Sequence, residues 1–331
     1  MKKLRLNPIT KRWVILTEED FSFDKINNVQ AQTKLENCPF CLGNEAMTPP
    51  ETDADRPQGG EPNSPGWLTR TVPNKFPALE DNLEKKEEKE GIFQKREGVG
   101  FHEVIIETPD HYKTMRGLSQ EEITRVIKVY RRRFSFLTKD KRFKYILIFK
   151  NHGLAAGASL EHPHTQLICL PIVPKRVTEE LDCTKEYFAK NNECMFCKII
   201  EEEKKQKDRL VLENEDFIAF CPFFSRSPFE LTILPTLHQS DFRKITDRQI
   251  DSLSSILKEL FIKLGNVLGD YPYNFLIHTT PINSDGKNYD FYHWHIEFLP
   301  KLGEIAGFEW ATGGYINPLL PEDAARRLNT T

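Results

Sequence analysis

Two segments of the chain carry the hydrophobic spacing of an amphipathic helix. In residues 119–134 the apolar side chains fall on one helical face, and they do so again in residues 246–264. Such a stripe indicates a helix that packs one side on a core and leaves the other side in water. Each segment begins with a capping box, which satisfies free amide groups of the first helical turn. The two boxes are Ser119 with Glu122, and Thr246 with Gln249.

Runs of β-branched and aromatic residues follow each predicted helix. Residues 145–149 come after the first helix, and residues 273–277 come after the second. A third run, residues 167–171, lies between them. Runs of this composition predict β-strands. The order helix then strand therefore occurs twice.

The polar landmarks are also repeated. A C-x-x-C pair opens each passage, a Pro-Asp-His or Pro-x-x-His turn follows, and an H-x-H motif comes after the helix and the strand. The first copy contains Cys38, Cys41, His111, His162 and His164. The second copy contains Cys194, Cys197, His238, His293 and His295. Landmarks that recur in one order indicate an internal duplication.

Composition restricts the class of protein. A chain of 331 residues exceeds one average domain, which suits two domains or one duplicated unit. The net charge of -3 argues against a general nucleic-acid binder. No apolar run approaches the roughly 20 residues that span a bilayer, and the first residues lack the apolar stretch of a signal peptide. We therefore expect a cytoplasmic protein that binds neither nucleic acid nor membranes.

Four of the seven cysteines form the two C-x-x-C pairs. In a reducing compartment such pairs are typical of metal ligands or redox motifs. Zinc prefers four Cys or His ligands in a tetrahedron, so the duplication predicts two structural zinc sites per chain. The first set is Cys38, Cys41, His111 and His162, and the second is Cys194, Cys197, His238 and His293. A turn without zinc is the alternative for each pair.

If the first histidine of each H-x-H motif binds metal, His164 and His295 remain free. His164 follows a loop of small residues, 150–161, whose backbone amides can approach a phosphate closely. Gln166 adds a polar group on the same face of the strand. An imidazole beside a phosphate cradle is a candidate nucleophile at phosphorus. The alternative is a pair of buried structural histidines.

These motifs resemble the galactose-1-phosphate uridylyltransferase family of the histidine-triad superfamily. The similarity covers nearly the whole chain. It rests on residues 7–14, 38–41, 74, 109–111, the Gly157/Ser159 loop and 162–166. It implies an α+β fold of two tandem histidine-triad-like halves, each an antiparallel sheet with helices. We place the catalytic half at residues 1–190 and the second half at residues 191–331.

The resemblance also implies a ping-pong nucleotidyl transfer between a nucleotide sugar and a sugar phosphate or phosphate. His164 would carry the nucleoside monophosphate covalently, and Gln166 would hydrogen-bond the phosphoryl oxygens. The other implied contacts are Asn74 at the nucleoside, and Asn151, Gly157 and Ser159 at the phosphate. Family members are homodimers in which the partner's C-terminal half completes the site, and Phe308 and Glu309 lie in the corresponding segment.

Two departures from the family pattern bear on the substrate. Residues 18–22 are acidic and polar where uridylyltransferases usually have a basic stretch, and Tyr315 lies near the place of a glutamine that holds the hexose phosphate. The C-terminal segment and the second Cys-Cys-His-His set resemble the ADP-glucose phosphorylase branch more closely. Some uridylyltransferases instead build an iron site in this half, and the residues that match it are Glu180, His278, His293 and His295.

The resemblance leaves several functions to compare. UMP transfer from UDP-glucose to galactose 1-phosphate is the main activity of the family and the leading expectation. AMP transfer from ADP-glucose to phosphate is the runner-up. A histidine-triad hydrolase is less favoured, because an amide at Gln166 cannot serve as a general acid for a poor leaving group. A zinc-stabilised nucleotide-binding or interaction module would leave His164 and Gln166 unexplained.

Overall fold

The computed structural model describes residues 2–18, 21, 35–84, 86–284 and 286–331. Their strands are β1 (Lys3–Leu6), β2 (Trp13–Leu16), β3 (Asp53–Asp55), β4 (Thr69–Pro73), β5 (Glu87–Glu90), β6 (Phe93–Arg96), β7 (Phe101–Ile106), β8 (Tyr145–His152), β9 (His164–Leu170), β10 (Leu210–Glu213), β11 (Phe217–Phe220), β12 (Leu231–Pro235), β13 (Tyr273–His278), β14 (His295–Pro300) and β15 (Tyr315–Asn317). The helices are α1 (Gln120–Leu137), α2 (Lys175–Asn191), α3 (Met195–Gln206), α4 (Asp247–Leu268), α5 (Gly307–Thr312) and α6 (Pro321–Asn329).

Ten strands form one large sheet in the order β10-β11-β12-β14-β13-β8-β9-β7-β4-β3. Each pair of neighbouring strands in this sheet runs antiparallel. Counted outward from the central pair, the strand order is β8-β9-β7-β4-β3 in one half and β13-β14-β12-β11-β10 in the other. Each strand therefore has a counterpart at the same position in the other half. The predicted α+β fold of two similar halves is therefore confirmed, and the two halves share a continuous sheet. The division at residues 190 and 191 stays a prediction.

Helices α1 and α4 lie on one face of this sheet and contact each other. Both predicted capping boxes are present, Ser119 with Glu122 and Thr246 with Gln249. The apolar stripes of the two helices enter one continuous core with residues of β7, β8, β9, β12, β13 and β14. The helices therefore occupy one face of the sheet, and the polar motifs are left to the opposite face.

The two halves meet where β8 pairs with β13. In this seam Asn151 lies opposite Asn274, and Lys150 lies opposite Phe275. The seam brings side chains of the second half next to the loop that follows β8. That loop lies beside His164, so the seam also contributes to the candidate site.

A small sheet, β1-β2-β15, joins both ends of the chain. Its inner face is buried by Val14, Leu16 and Asn317. Its outer face is apolar and includes Leu4, Trp13 and Ile316, which are 63%, 52% and 45% exposed. These three large apolar side chains are therefore exposed together on one face of the small sheet.

Several smaller expectations can be compared with the structure. The strand predicted at 167–171 begins earlier, at His164. The charged run at residues 201–208 lies largely in α3, where Glu203 is buried and pairs with Arg209. Residues 19, 20 and 22 of the acidic segment lie outside the described residues. In the part of the chain that the structure describes, no helix is long and apolar enough to cross a membrane.

Candidate active site and metal clusters

The first predicted metal set comes together as a buried cluster. Its ligand atoms all lie within 4.8 Å of one another, and its members are Cys38, Cys41, His111 and His162. The Nδ1 atom of His111 lies 3.3 Å from the Cys41 sulfur, and that of His162 lies 3.6 Å from it. A tetrahedral zinc ion with ordinary Zn–S and Zn–N bonds separates sulfur and nitrogen ligands by about 3.6 Å. The geometry therefore suits a four-coordinate ion.

A hydrogen bond from its other ring nitrogen orients His162, one of these predicted ligands. The His162 Nε2–H donates to the Thr108 carbonyl at 2.8 Å, so Nδ1 keeps its lone pair for the metal side. Outer contacts of this kind set the tautomer of metal-binding histidines. The cluster also ties the C-x-x-C turn to the strands β7 and β9, because His162 directly precedes β9.

The second predicted set forms an equivalent cluster in the other half. Its members are Cys194, Cys197, His238 and His293. The Cys197 sulfur lies 3.4 Å from Nδ1 of His238 and 3.6 Å from Nδ1 of His293. Both donor sets are Cys₂His₂, which is typical of structural metal sites. The structure brings together all eight predicted ligands as two clusters that could each hold a metal ion.

A third cluster corrects the alternative iron assignment. The alternative grouped His293 with Glu180, His278 and His295, whereas His293 lies with the cysteines and Glu297 takes its place beside the other three. His278 contacts both carboxylates, with Nδ1 3.2 Å from Glu180 and Nε2 3.4 Å from Glu297. Burial opposes its charge, but the two carboxylates raise the pKa of His278 to about 9. The two carboxylates therefore favour the protonated form of His278 at neutral pH.

His164 is buried at the start of β9 and presents one ring nitrogen for chemistry. Its Nδ1 lies 2.8 Å from the His162 carbonyl, which can only accept, so Nδ1 carries the proton. The Nε2 atom therefore bears the lone pair. Burial lowers the pKa of His164 to about 4, which keeps the imidazole neutral near pH 7. A neutral imidazole with a free lone pair is the form that attacks phosphorus.

A buried polar network supports the backbone of His164 from the helix side. Lys150 donates to the His164 carbonyl at 3.1 Å and to Glu107 at 2.7 Å. Thr165 and Tyr130 also donate to Glu107, at 2.5 and 2.9 Å. Burial alone would raise the pKa of Glu107, but Lys150 and the two hydroxyls hold it below its usual value. The sequence analysis missed this network, since each member reads as an isolated polar residue.

The loop after β8 has the backbone that a phosphate cradle requires. Gly157 has a φ of 87°, in the left-handed region that side chains rarely adopt. A Cβ on Gly157 would lie 3.5 Å from the Asn151 amide nitrogen. Ser159 is exposed in the same loop. Glycine here combines the turn with close approach to Asn151, so three of the predicted phosphate residues lie together.

Gln166 lies two residues beyond His164 on the same face of β9, opposite Phe149 of β8. Its Oε1 is 2.9 Å from Nε2 of His102, a residue that the sequence analysis missed. Asn74 stands against the same ring, with its Nδ2 3.4 Å from the His102 nitrogens. The predicted nucleoside residue and the predicted phosphoryl residue are thus linked through His102. Strand alternation puts His102 on one face of β7 with Val104 and Ile106, but its position beside Gln166 follows only from the pairing of β7 with β9.

Phe308 and Glu309 lie elsewhere. They belong to α5, and Glu309 lines a cavity of about 230 Å³ with Arg176, Arg226 and Tyr315 in the second half. Among the described residues, no hydrogen bond or ring contact joins either one to His164 of the same chain. The structure of one chain therefore does not bring Phe308 and Glu309 to His164, and their role at the site stays a prediction.

His295 is the counterpart of His164 but has different surroundings. Its Nδ1 lies 3.1 Å from the His293 carbonyl, as in the first half. Glu297 replaces Gln166, at the same register against β13. Arg176 and Arg226 pair with Glu297 at 2.8 and 3.0 Å, which fills the space with an ion network. At the matching strand position the described chain thus has an amide, Gln166, two residues after His164 and a carboxylate, Glu297, two residues after His295.

Comparison with known proteins agrees with this arrangement. Residues 1–174 match the N-terminal domain of galactose-1-phosphate uridyl transferase, and residues 180–329 match its C-terminal domain. The chain belongs to the galactose-1-phosphate uridyl transferase family. This family is one of nucleotidyltransferases, so the protein is a nucleotidyltransferase enzyme.

Relatives within the galactose-1-phosphate uridyl transferase family are similar over full length. The chain is 35% identical to the ADP-glucose phosphorylase of Arabidopsis thaliana, over 98% of this chain and 91% of that one. It is 30% identical to the galactose-1-phosphate uridylyltransferase of Thermotoga maritima, over 100% and 99%.

Solved structures show the same two branches. The ADP-glucose phosphorylase of A. thaliana with bound ADP-glucose superimposes with a TM-score of 0.84 at 33% identity, covering 100% of this chain and 99% of that one. A uridylyltransferase superimposes with a TM-score of 0.75 at 28% identity, covering 100% and 98%. The fold is common to both branches, and the phosphorylase is the more similar of these two.

Proposed function

We propose that this protein moves a nucleoside monophosphate from a nucleotide sugar to a phosphate-bearing acceptor through a covalent nucleotidyl-His164. The observation that carries the proposal is the tautomer of His164. Its Nδ1–H is held by the His162 carbonyl, so Nε2 is left as a neutral nucleophile on the face that carries Asn151 and Gln166. Family membership supports the same chemistry.

In the first half-reaction the His164 Nε2 attacks the α-phosphorus of the nucleotide sugar. A bond forms between nitrogen and phosphorus, and the bond from phosphorus to the bridging oxygen breaks, so sugar 1-phosphate leaves. In the second half-reaction an acceptor phosphate oxygen attacks the same phosphorus and releases His164. Inorganic phosphate as acceptor yields a nucleoside diphosphate, whereas a hexose 1-phosphate yields a new nucleotide sugar.

The proposed binding roles follow the site geometry. Asn151, Gly157 and Ser159 contact the phosphates, and Gln166 donates to the phosphoryl oxygens. Asn74 contacts the nucleoside. Because the leaving group is itself a phosphate, no general acid is needed at the position of Gln166. This argues for transfer over hydrolysis.

We propose an adenylyl donor such as ADP-glucose, with phosphate as acceptor, as the physiological pair. The greater similarity to ADP-glucose phosphorylase in sequence and in structure supports it. Tyr315 and the acidic residues near position 18 are further support, because they replace groups that suit hexose 1-phosphate. UMP transfer from UDP-glucose to galactose 1-phosphate, the leading expectation from sequence alone, is the second candidate. Full-length similarity to the T. maritima enzyme supports it.

Zinc is the proposed metal at both Cys₂His₂ clusters. Two thiolates and two imidazoles at tetrahedral spacing are the donor set of structural zinc. The ions would be held by Cys38, Cys41, His111 and His162 in one half, and by Cys194, Cys197, His238 and His293 in the other. All four positions at each ion would come from the protein. Their contribution is therefore to stability and to the placement of His164, and the reaction does not pass through them.

We further propose a homodimer in which Phe308 and Glu309 of one chain complete the site of the other. The exposed outer face of the small sheet supports it, as does the exposed Trp310 of α5, which is 80% accessible. Gly314 links these two features, because a Cβ there would lie 3.2 Å from the Trp13 carbonyl and 3.5 Å from the Phe308 ring. Aromatic surface of this kind is enriched in protein interfaces.

The test is to trap the adduct. Protein is mixed with ADP-glucose or UDP-glucose labelled in the nucleotide, and bound label is measured after rapid denaturation at alkaline pH, since phosphohistidine-type bonds are acid-labile. We expect label on wild type and none on His164→Gly, whose turnover should fall by several orders of magnitude. His295→Gly is the matched control and should keep the label. Near-normal turnover by His164→Gly would overturn the proposal.

A further inference from the structure

His102 and Asn274 lie outside the predicted site, and each donates a hydrogen bond that determines which end of a site amide faces the substrate. His102 acts on Gln166. The backbone N–H of Ala78 points at Nδ1 of His102, 3.4 Å away. A backbone amide can only donate, so Nδ1 is the acceptor and the ring proton is on Nε2. That Nε2–H then donates to the atom of Gln166 that lies 2.9 Å away, which must be oxygen.

Asn274 acts on Asn151 from across the seam between the two halves. One atom of the Asn274 amide lies 2.9 Å from the Ala156 carbonyl. A carbonyl can only accept, so this atom is the NH₂ group. The same NH₂ lies 2.8 Å from the nearest atom of the Asn151 amide, which must therefore be its oxygen. In both pairs an unambiguous backbone partner determines the orientation of the side-chain amide.

The consequence is the same at both positions. With their oxygens engaged, Gln166 and Asn151 turn their NH₂ groups away from His102 and Asn274. The Asn151 NH₂ also lies 3.5 Å from the Gly157 carbonyl of the loop after β8, and its second N–H is left for a phosphoryl oxygen. Gln166 lies on the same strand face as His164, and Asn151 lies on neighbouring β8, two residues beyond the partner of Gln166. Phosphoryl oxygens accept hydrogen bonds, and an amide oxygen facing them would repel them. A fixed orientation therefore presents donors before substrate arrives.

We propose that His102 and Asn274 are positioning residues, which orient the amides of Gln166 and Asn151 so that N–H donors face the phosphoryl group attacked by His164. This rests on the proposed nucleotidyl transfer and extends it to two residues that touch no reacting atom. Burial lowers the pKa of His102, which is consistent with a neutral ring in a single tautomer. Because Asn274 belongs to the second half, the orientation of the Asn151 amide in the catalytic half depends on the second half.

The first experiment measures the single-turnover rate of nucleotidylation of His164. His102→Leu removes the donor and keeps an apolar volume, whereas His102→Gln keeps an N–H close to the position of Nε2. We expect His102→Leu to slow the step about tenfold to a hundredfold, the loss that is typical when the residue that orients a metal ligand is removed. His102→Gln should restore most of the rate. In a Gln166→Ala background, His102→Leu should have no further effect, because its partner is gone.

Asn274 is tested in the same way. Asn274→Ala should slow nucleotidylation, and it should have no further effect in an Asn151→Ala background. A merely structural role predicts the opposite pattern, in which the losses at His102 or Asn274 multiply with those at Gln166 or Asn151. Such additivity, or a His102→Leu rate equal to wild type, would overturn the proposal.

A second measurement separates this inference from the proposed function. Nitrogen-15 NMR of histidine-labelled protein, with the His102 signal assigned by its loss in His102→Leu, reports the tautomer without any substrate. We expect the proton on Nε2, and a proton on Nδ1 would overturn the orientation argument. If wild type forms no adduct with ADP-glucose or UDP-glucose, the proposed function fails, while the NMR result still decides the orientation of Gln166.

Discussion

The ring of Phe40 lies 5.3 Å from the imidazole of His164, tilted by 59°. Phe40 stands between the metal-binding residues Cys38 and Cys41, so the metal cluster also determines what packs against the nucleophile. Phe196, between Cys194 and Cys197, has the same relation to His295 at 4.7 Å. Each C-x-x-C turn therefore holds an aromatic ring against the free histidine of its half.

This relation gives a prediction with a built-in control. Phe40→Leu should slow nucleotidylation of His164 about tenfold, because the imidazole loses a neighbour that restricts its orientation. Phe196→Leu changes the equivalent contact at His295 and should leave the rate within about twofold. Both variants should keep their metal, as measured by elemental analysis, and should lose about 1–2 kcal/mol of stability. Equal rates for the two variants would contradict a specific role for Phe40.

The second prediction concerns the metal content. Purified wild type should hold about two zinc ions per chain. Cys38→Ser and Cys194→Ser should each lose one ion, and each should lower the thermal midpoint, since metal binding is coupled to folding. Cys183→Ser is the matched control, because Cys183 lies outside the described clusters and should keep both ions. Protein without zinc, or with iron in the second cluster, would show that the assignment is wrong.

Much of this architecture could be predicted because the chain is duplicated. The capping boxes, the helix stripes and the order of landmarks are local patterns, and each is present in the structure. The members of the two Cys₂His₂ clusters were predictable because the second copy limits which histidines pair with each C-x-x-C turn. For Glu297 the pattern was insufficient. Its spacing after His295 matches that of Gln166 after His164, but only the structure shows that Glu297, and not His293, belongs to the third cluster.

His102 and Asn274 show why other site residues could not be predicted. Each acts on a partner that is remote in sequence, 64 residues away for His102 and 123 for Asn274. Local spacing contains no information about such contacts until the strand order is known. The sequence shows that β8 and β13 are equivalent strands of the two copies. It does not show that they pair directly, which is what brings Asn274 to Asn151.

The third prediction concerns the pH dependence of stability. The pKa of His278 is raised to about 9 by Glu180 and Glu297, against an ordinary value of 6.5. Its contribution is therefore fully present below about pH 6.5 and is lost as the pH rises through 9. Wild type should exceed His278→Gln in unfolding free energy by roughly 3 kcal/mol at pH 6. The difference should shrink by pH 10, as urea titrations at each pH will measure. A constant difference would exclude titration of His278 as the cause.

The fourth prediction tests whether partner residues complete the site. His164→Gly and the double variant Phe308→Ala/Glu309→Ala should each be nearly inactive as separate homodimers. If each site uses His164 from one chain and Phe308 and Glu309 from the other, a mixed dimer contains one intact site. Co-expression should then recover about a quarter of wild-type activity, from the statistical half of dimers that are mixed. Recovery should be absent when His164→Gly is co-expressed with itself. A fully active monomer at high dilution would contradict the shared site.

The last prediction concerns the nucleotide and the acceptor. A site that hydrogen-bonds a substrate's polar groups discriminates strongly against analogues, and a site without those partners does not. Tyr315 lines the cavity with Arg176 and Glu309 where the family places a glutamine for the hexose phosphate. We therefore expect inorganic phosphate to serve as acceptor and galactose 1-phosphate to react slowly. The measurement is a side-by-side comparison of ADP-glucose and UDP-glucose, each with phosphate and with galactose 1-phosphate. Tyr315→Gln should raise the rate with galactose 1-phosphate relative to phosphate. Fast UMP transfer to galactose 1-phosphate without phosphorolysis would instead favour the uridylyltransferase assignment, because it would show that the glutamine is not needed to hold the hexose phosphate.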